Sequence, residues 1–193
     1  MAEPVHDHDA LEAGDFSVWL GQIQMAIRGE GESDVPCGDC TACCTASQFI
    51  HIGPDETDTL AHIPAPLLFP APLLPRGHVL MGYDEHGRCP MLVDDRCSIY
   101  DHRPQTCRAY DCRVFVAAGV QADADKVLIV ERARRWRFSF PTLLDHDLFQ
   151  AVHAAAVHIR SRADESGAAG RPANNTQLAV AAIEQHERFL PQR

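Results

Sequence analysis

The chain is expected to be α+β and predominantly α, with an irregular cysteine-rich metal-binding region carrying short strands, flanked by amphipathic helices. Three observations predict this class. Apolar residues recur at helical spacing near the start and again from Asp123 onward. Between these stretches, a region punctuated by Pro and Gly holds all eight cysteines and has little helical period. Hydrophobic residues make up 46% of the 193 positions, enough to bury a core. The organisation that follows is a disordered acidic tail over 1–14 and a single domain over 15–193. Within that domain, 33–113 is the cysteine-cluster region and 123–193 the helical C-terminal part.

Taken in order, "DFSVWLGQIQMAIRG" places Phe16, Trp19, Leu20, Ile23 and Ile27 on one helical face and stops at Gly29. "QFIHIG" and "HVLMGY" read as short strands, and "DEHG" as a turn before "RCPMLV". "PAPLL" occurs at 64–68 and again at 70–74. Polyproline II repeats every three residues, so this spacing aligns Leu67 with Leu73 and Leu68 with Leu74 along one edge of a strap. The strap is either a lid or docking segment, or a rigid loop packed on the core; apolar residues normally pack, which favours the loop. Further on, "DADKVLIVERARRWRF" reads as a helix that puts Arg132, Arg135 and Trp136 on one side, the arginine stems lying along a packed tryptophan in preference to binding an acidic ligand. "DHDLFQAVHAAAVHIRSRA" sets Leu148, Val152, Ala155 and Ile159 on one face, 165–175 is a linker, and "NTQLAVAAIEQHERFL" is the last helix.

Charge and compartment narrow the chemistry. The formal net charge is -10, with 27 acidic against 17 basic residues, which disfavours nucleic acid as a partner. The start of the chain has neither a basic segment nor an apolar run, so a cytoplasmic location is expected. The longest apolar stretch, Ile63 to Pro75, is broken by five prolines and does not suit a membrane span. In a reducing compartment, eight cysteines point to metal or redox chemistry and not to disulfides.

"CGDCTACC" holds Cys37, Cys40, Cys43 and Cys44. Two cysteines separated by two residues can turn both sulfurs onto one ion, and C-x2-C-x2-C is shared with iron–sulfur ligand runs. Cys44 fits neither scheme with Cys43, because adjacent side chains diverge by about 100° on a helix and by more on a strand. One of the two therefore serves a second site or stays unused. The other four, Cys89, Cys97, Cys107 and Cys112, are spread over "RCPMLVDDRCSIYDHRPQTCRAYDC", with Cys89 followed by Pro90. His51, His78, His86 and His102 lie in the same region and are weaker candidates to replace a cysteine. His6 and His8 read as a solvated tail, and His146 and His153 as a helical face. GxGxxG, P-loop, HExxH, GxSxG and CxxxCxxC patterns are all missing.

With "CGDCTACC" and the downstream run in hand, the sequence resembles the cysteine-cluster family known by its CxxCxxCC motif, whose domain is held to chelate zinc or iron. The resemblance spans roughly residues 37–113 and includes Tyr100, Arg103, Pro104 and Arg108 as motif companions. It implies that Cys37, Cys40, Cys43, Cys44, Cys89, Cys97, Cys107 and Cys112 hold metal. Some relatives are joined to lysine methylation of flagellin.

At such a centre, guanidinium hydrogen bonds from Arg103 and Arg108 would offset the negative charge of the thiolates. The competing reading pairs these arginines with Asp101 and Asp111 on the surface. The cofactor is expected to be an iron–sulfur cluster or zinc. The C-x2-C-x2-C run with a remote Cys-Pro gives iron–sulfur the preference, while division of eight thiols into two closed fours, with Cys43 and Cys44 feeding different ions, argues for zinc. The expected function is metal binding, with a structural or electron-carrying centre and a helical tail free to meet a protein partner. The alternative is a metal-dependent enzyme modifying protein side chains, for example with methyltransferase-like activity.

Overall fold

The computed structural model describes residues 9–33, 35–166 and 172–191. His6, His8, the rest of the tail up to residue 8 and much of the expected linker at 165–175 lie outside the described residues.

The larger of two cores is helical. Helix α1, Phe16–Ile27, buries Phe16, Trp19, Leu20, Ile23 and Ala26, close to the face its sequence spacing marks out. It ends where Gly29 takes φ +74, a conformation that costs glycine little, and returns its N–H to the Ala26 carbonyl at 3.1 Å. Helices α4, Arg113–Ala118, α6, Leu143–Ser166, and α7, Asn175–Gln185, pack around it. Their contact faces are rich in alanine: Ala117, Ala118, Ala155, Ala156, Ala179 and Ala182 are all buried, and such small side chains let the helix axes approach closely. Asp145, fully buried, joins the starts of α1 and α6, accepting from the backbone N–H groups of Ser17 and Thr142 at 2.9 Å each. No described helix is long and apolar enough to cross a membrane.

Two expectations change here. Residues 11–14, placed in the disordered tail, belong to strand β1, Leu11–Asp15. The helix expected to run through Phe138 is α5, Val127–Ala133, and the chain then turns into strand β7, Trp136–Ser139. β1 and β7 pair in parallel, with Leu11 opposite Trp136. The physical reason is an alternation of period two: Trp136 is buried and Phe138 half-buried while Arg137 and Ser139 face outward, a pattern that a helix cannot satisfy.

The smaller core lies within the cysteine region. Strands β2, Ile50–Ile52, β3, Leu68–Pro70, and β4, Val79–Met81, form an antiparallel sheet in the order β2-β4-β3. Strands β5, Leu92–Val93, and β6, Arg96–Cys97, make a hairpin whose turn residues, Asp94 and Asp95, both have positive φ, as a tight two-residue hairpin turn demands. Short helices α2, Thr57–His62, and α3, Gln105–Ala109, flank them. Ile52, Ile63, Met81, Met91 and Ile99 are the buried centre.

The strap is not a continuous polyproline helix. Its first copy folds into a 3-10 turn at Ala65–Leu67 and the strand β3, so Leu67 and Leu68 pack on the small core. In the second copy Leu73 is fully exposed at φ +65 and Leu74 half-exposed. Hydrogen bonding of β3 to β4 breaks the three-residue screw, and the two copies lose their equivalence.

Candidate metal centre

The thiols collect where the two cores meet. A 3-10 turn, Ala42–Thr45, carries Cys43 and Cys44, and with three residues per turn their side chains leave in different directions. Ahead of it, the Cys40 N–H closes onto the Cys37 carbonyl at 3.1 Å. The Cys89 N–H donates to the Cys44 carbonyl at 2.6 Å, fastening the downstream segment onto the upstream one. Cys97 stands on β6 opposite Leu92, Cys107 lies within α3, and Cys112 immediately precedes α4. Cys40 and Cys112 pack with the helical core, Cys89 and Cys97 with the small one. None of the eight is in a disulfide.

The thiols act on one another, and each shifted one feels its neighbours in a definite order. Burial pushes Cys43 well up; the charges that add to it are, in order, those of Cys112, Cys37, Cys44 and Cys40. Cys44 is pushed up to about 11 by burial, then by Cys89 and Cys97 ahead of Cys37 and Cys40. Cys107 is pushed up to about 12 by burial, followed by Cys44, Cys89 and Cys97. Cys112 reaches about 12 through burial, opposed by an N–H···S bond from Trp136 and raised further by Asp111, Cys37 and Cys40. Cys43 thus feels Cys112 and Cys37 most, Cys44 feels Cys89 and Cys97 most, and Cys107 feels Cys44 most, while Cys44 also bears on Cys43. The raised values at Cys43, Cys44, Cys107 and Cys112 favour the protonated thiol there, so a soft or borderline ion would enter by displacing protons. Among the described residues, the three donors within 4.8 Å of one another are those of Asp58, His62 and His102; no three of the thiols lie that close.

Cations surround the sulfurs. The Arg103 guanidinium stacks on the Tyr100 ring at 3.7 Å, and its charge bears on Cys37 and Cys107. Arg132 donates to the carbonyls of Pro36 and Cys37 at 3.2 and 3.1 Å and also acts on Cys37. The Nε atoms of Arg103 and Arg132 are buried and lack a hydrogen-bond partner, a costly state that a charged sulfur nearby would relieve. Trp136 donates Nε1–H to Cys112 Sγ at 3.1 Å.

Arg108 is placed differently: it pairs with Glu32 at 3.2 Å and bonds to Gln105 Oε1. Asp111, expected on the surface, is buried, with Arg113 paired to it at 2.8 Å and Trp19 and Ser33 donating to it. Sequence reasoning missed Arg132 and Trp136 because they lie far along the chain from Cys37; the basic-aromatic cluster "RARRWRF" was their only signal.

The histidines have partners of other kinds. His51 and His78 bond to each other at 2.9 Å, His86 pairs with Glu85 at 3.5 Å and His102 with Asp58 at 2.7 Å. His146 stacks on Phe140, and His153 bonds the Val116 carbonyl at 3.3 Å.

Against known families, residues 36–128 match the model named CxxCxxCC and described as "Putative zinc- or iron-chelating domain". The match takes in all eight cysteines, just under half of the chain, and supports metal binding in general. No curated protein and no solved structure matches the chain.

Proposed function

We propose that this chain is a metal-binding protein with two adjacent four-cysteine centres, Cys37/Cys40/Cys43/Cys112 and Cys44/Cys89/Cys97/Cys107, structural or electron-carrying in role. The observation that carries this reading is that Cys40 and Cys112 pack with the helical core while Cys89 and Cys97 pack with the small one, the Cys89 N–H bonding the Cys44 carbonyl. All-sulfur donor sets suit zinc and iron–sulfur clusters.

Iron–sulfur is the preferred filling. In two-cluster iron–sulfur proteins, three cysteines of a C-x2-C-x2-C run serve one cluster and the Cys-Pro that follows serves the other. Here Cys37, Cys40 and Cys43 group together, while Cys89, which precedes Pro90, belongs to the neighbouring four. Arg103, Arg132 and the Trp136 N–H would hold the sulfur charge when a metal is bound, whereas Arg108 is already engaged by Glu32. Zinc is the second reading, favoured because four thiols close a tetrahedral site completely.

An enzymatic role on protein side chains would need an open coordination position. Two complete sets of four thiols offer none, which supports a structural or electron-carrying centre; the helical part stays available to a protein partner.

The test is metal and sulfide analysis with an absorption spectrum on protein purified without oxygen. Visible absorption that bleaches on reduction supports iron–sulfur, and a colourless zinc-loaded protein supports zinc. Cys112→Ser and Cys107→Ser should each remove about half of the metal, since each breaks one set of four. Complete loss from either substitution, or full retention in both, overturns the division.

A further inference from the structure

We propose that Asp58, His62 and His102 form a second, surface site for a borderline divalent cation such as zinc or nickel, separate from the thiols. The site shares no residue with the cysteines. Asp58 and His62 sit four residues apart in α2 and so share a helical face. The 3-10 turn Tyr100–His102 brings His102 against that face from another part of the chain.

One donor atom from each of the three residues lies within 4.8 Å of the others. His102 Nδ1 is 2.7 Å from one Asp58 carboxylate oxygen, and His62 Nδ1 is 3.8 Å from the other. The two imidazole rings lie parallel, centroids 3.5 Å apart with 6° between their planes. His62 Nδ1 is also 2.8 Å from the Asp58 backbone carbonyl, so His62 must turn out of the stack for both rings to aim a nitrogen at one ion.

Two imidazole nitrogens and one carboxylate oxygen are the donor set that zinc, nickel and related ions take, and the carboxylate supplies the counter-charge. An ion entering here displaces the proton shared between His102 and the Asp58 carboxylate, and His62 turns from the Asp58 backbone carbonyl to meet it. The side chains of His62, His102 and Asp58 are 40%, 38% and 69% exposed, so an ion can reach them and water can complete its shell.

The experiment titrates nickel into protein whose thiol sites are already filled, following heat by calorimetry and histidine ring signals by NMR. Wild type should take one further ion per chain, and the His62 and His102 ring signals should broaden first. Asp58→Asn should weaken that ion by about tenfold or more. The double variant His62→Gln/His102→Gln should lose the ion while keeping its thiol-held metal and its circular dichroism spectrum. No further ion in wild type, undiminished binding in the double variant, or earlier broadening of other histidines would each overturn the proposal.

Discussion

Trp136 shows what a single side chain does at the junction of core and centre. Its ring is buried, the Arg132 guanidinium lies 5.0 Å from its centroid, and its N–H reaches Cys112 Sγ. Trp136→Phe keeps most of the packing and removes the donor. A chelator competition should then strip the Cys112-containing four faster than in wild type and leave the other four unchanged; equal rates at both would refute the role. The candidate thiols were legible in the sequence, because their spacing is a local property. The partners were not: Asp111 reads as a surface charge, yet tertiary contacts bury it under Trp19, Ser33 and Arg113.

Asp145 gives a pH-dependent counterpart. Hydrogen bonds from Thr142, then Ser17, hold its carboxyl well below the usual carboxylate range. A depressed folded value means the stabilisation is fully present above the unfolded value of about 3.9 and is lost as pH falls through the folded one. Asp145→Asn should therefore unfold at lower temperature than wild type at pH 7, with the gap closing only below about pH 4. A gap that closes between pH 7 and 5 would count against this assignment.

At the scale of elements, legibility followed length. The long helices α1, α6 and α7 announce themselves by period, whereas α2, α3 and α4 span six, five and six residues, too few for a helical period to emerge. The alternation in "WRFS" was present but stood in the shadow of the helical pattern preceding it. In the strap, sequence symmetry misled because pairing with β4 takes in the end of the first copy, Leu68, but only the beginning of the second, Pro70. The two leucines that polyproline symmetry equates should thus respond differently. Leu67→Ala removes packing from the small core and should cost about 1–3 kcal/mol, below the range for full burial since Leu67 is only partly buried. Leu73→Ala, at a fully exposed position, should stay within about 0.5 kcal/mol. Denaturant melts of both variants decide it, and equal losses would restore the symmetric strap.

For the whole molecule, the two cores differ greatly in what holds them. The helical core joins α1, α4, α6 and α7 and buries both tryptophans, an assembly that packing can sustain. The small core has five buried apolar residues under two- and three-residue strands, far below what an independent sheet needs. On the proposed division, its missing stability would come from the Cys44, Cys89, Cys97 and Cys107 group, whose members lie on the 3-10 turn, β6, α3 and the segment between sheet and hairpin. One centre there would cross-link nearly every piece of the small core. Metal affinity becomes folding free energy when an organised site exists only in the folded state. Stripping the metal should therefore release amide protection first in β2, β4, β5 and β6, while α6 and α7 retain most of theirs. Hydrogen exchange with mass spectrometry, before and after anaerobic chelation, separates the possibilities. Loss spread evenly over both cores would mean that the molecule unfolds as one unit, and unchanged exchange in the strands would mean that the thiols do not support them.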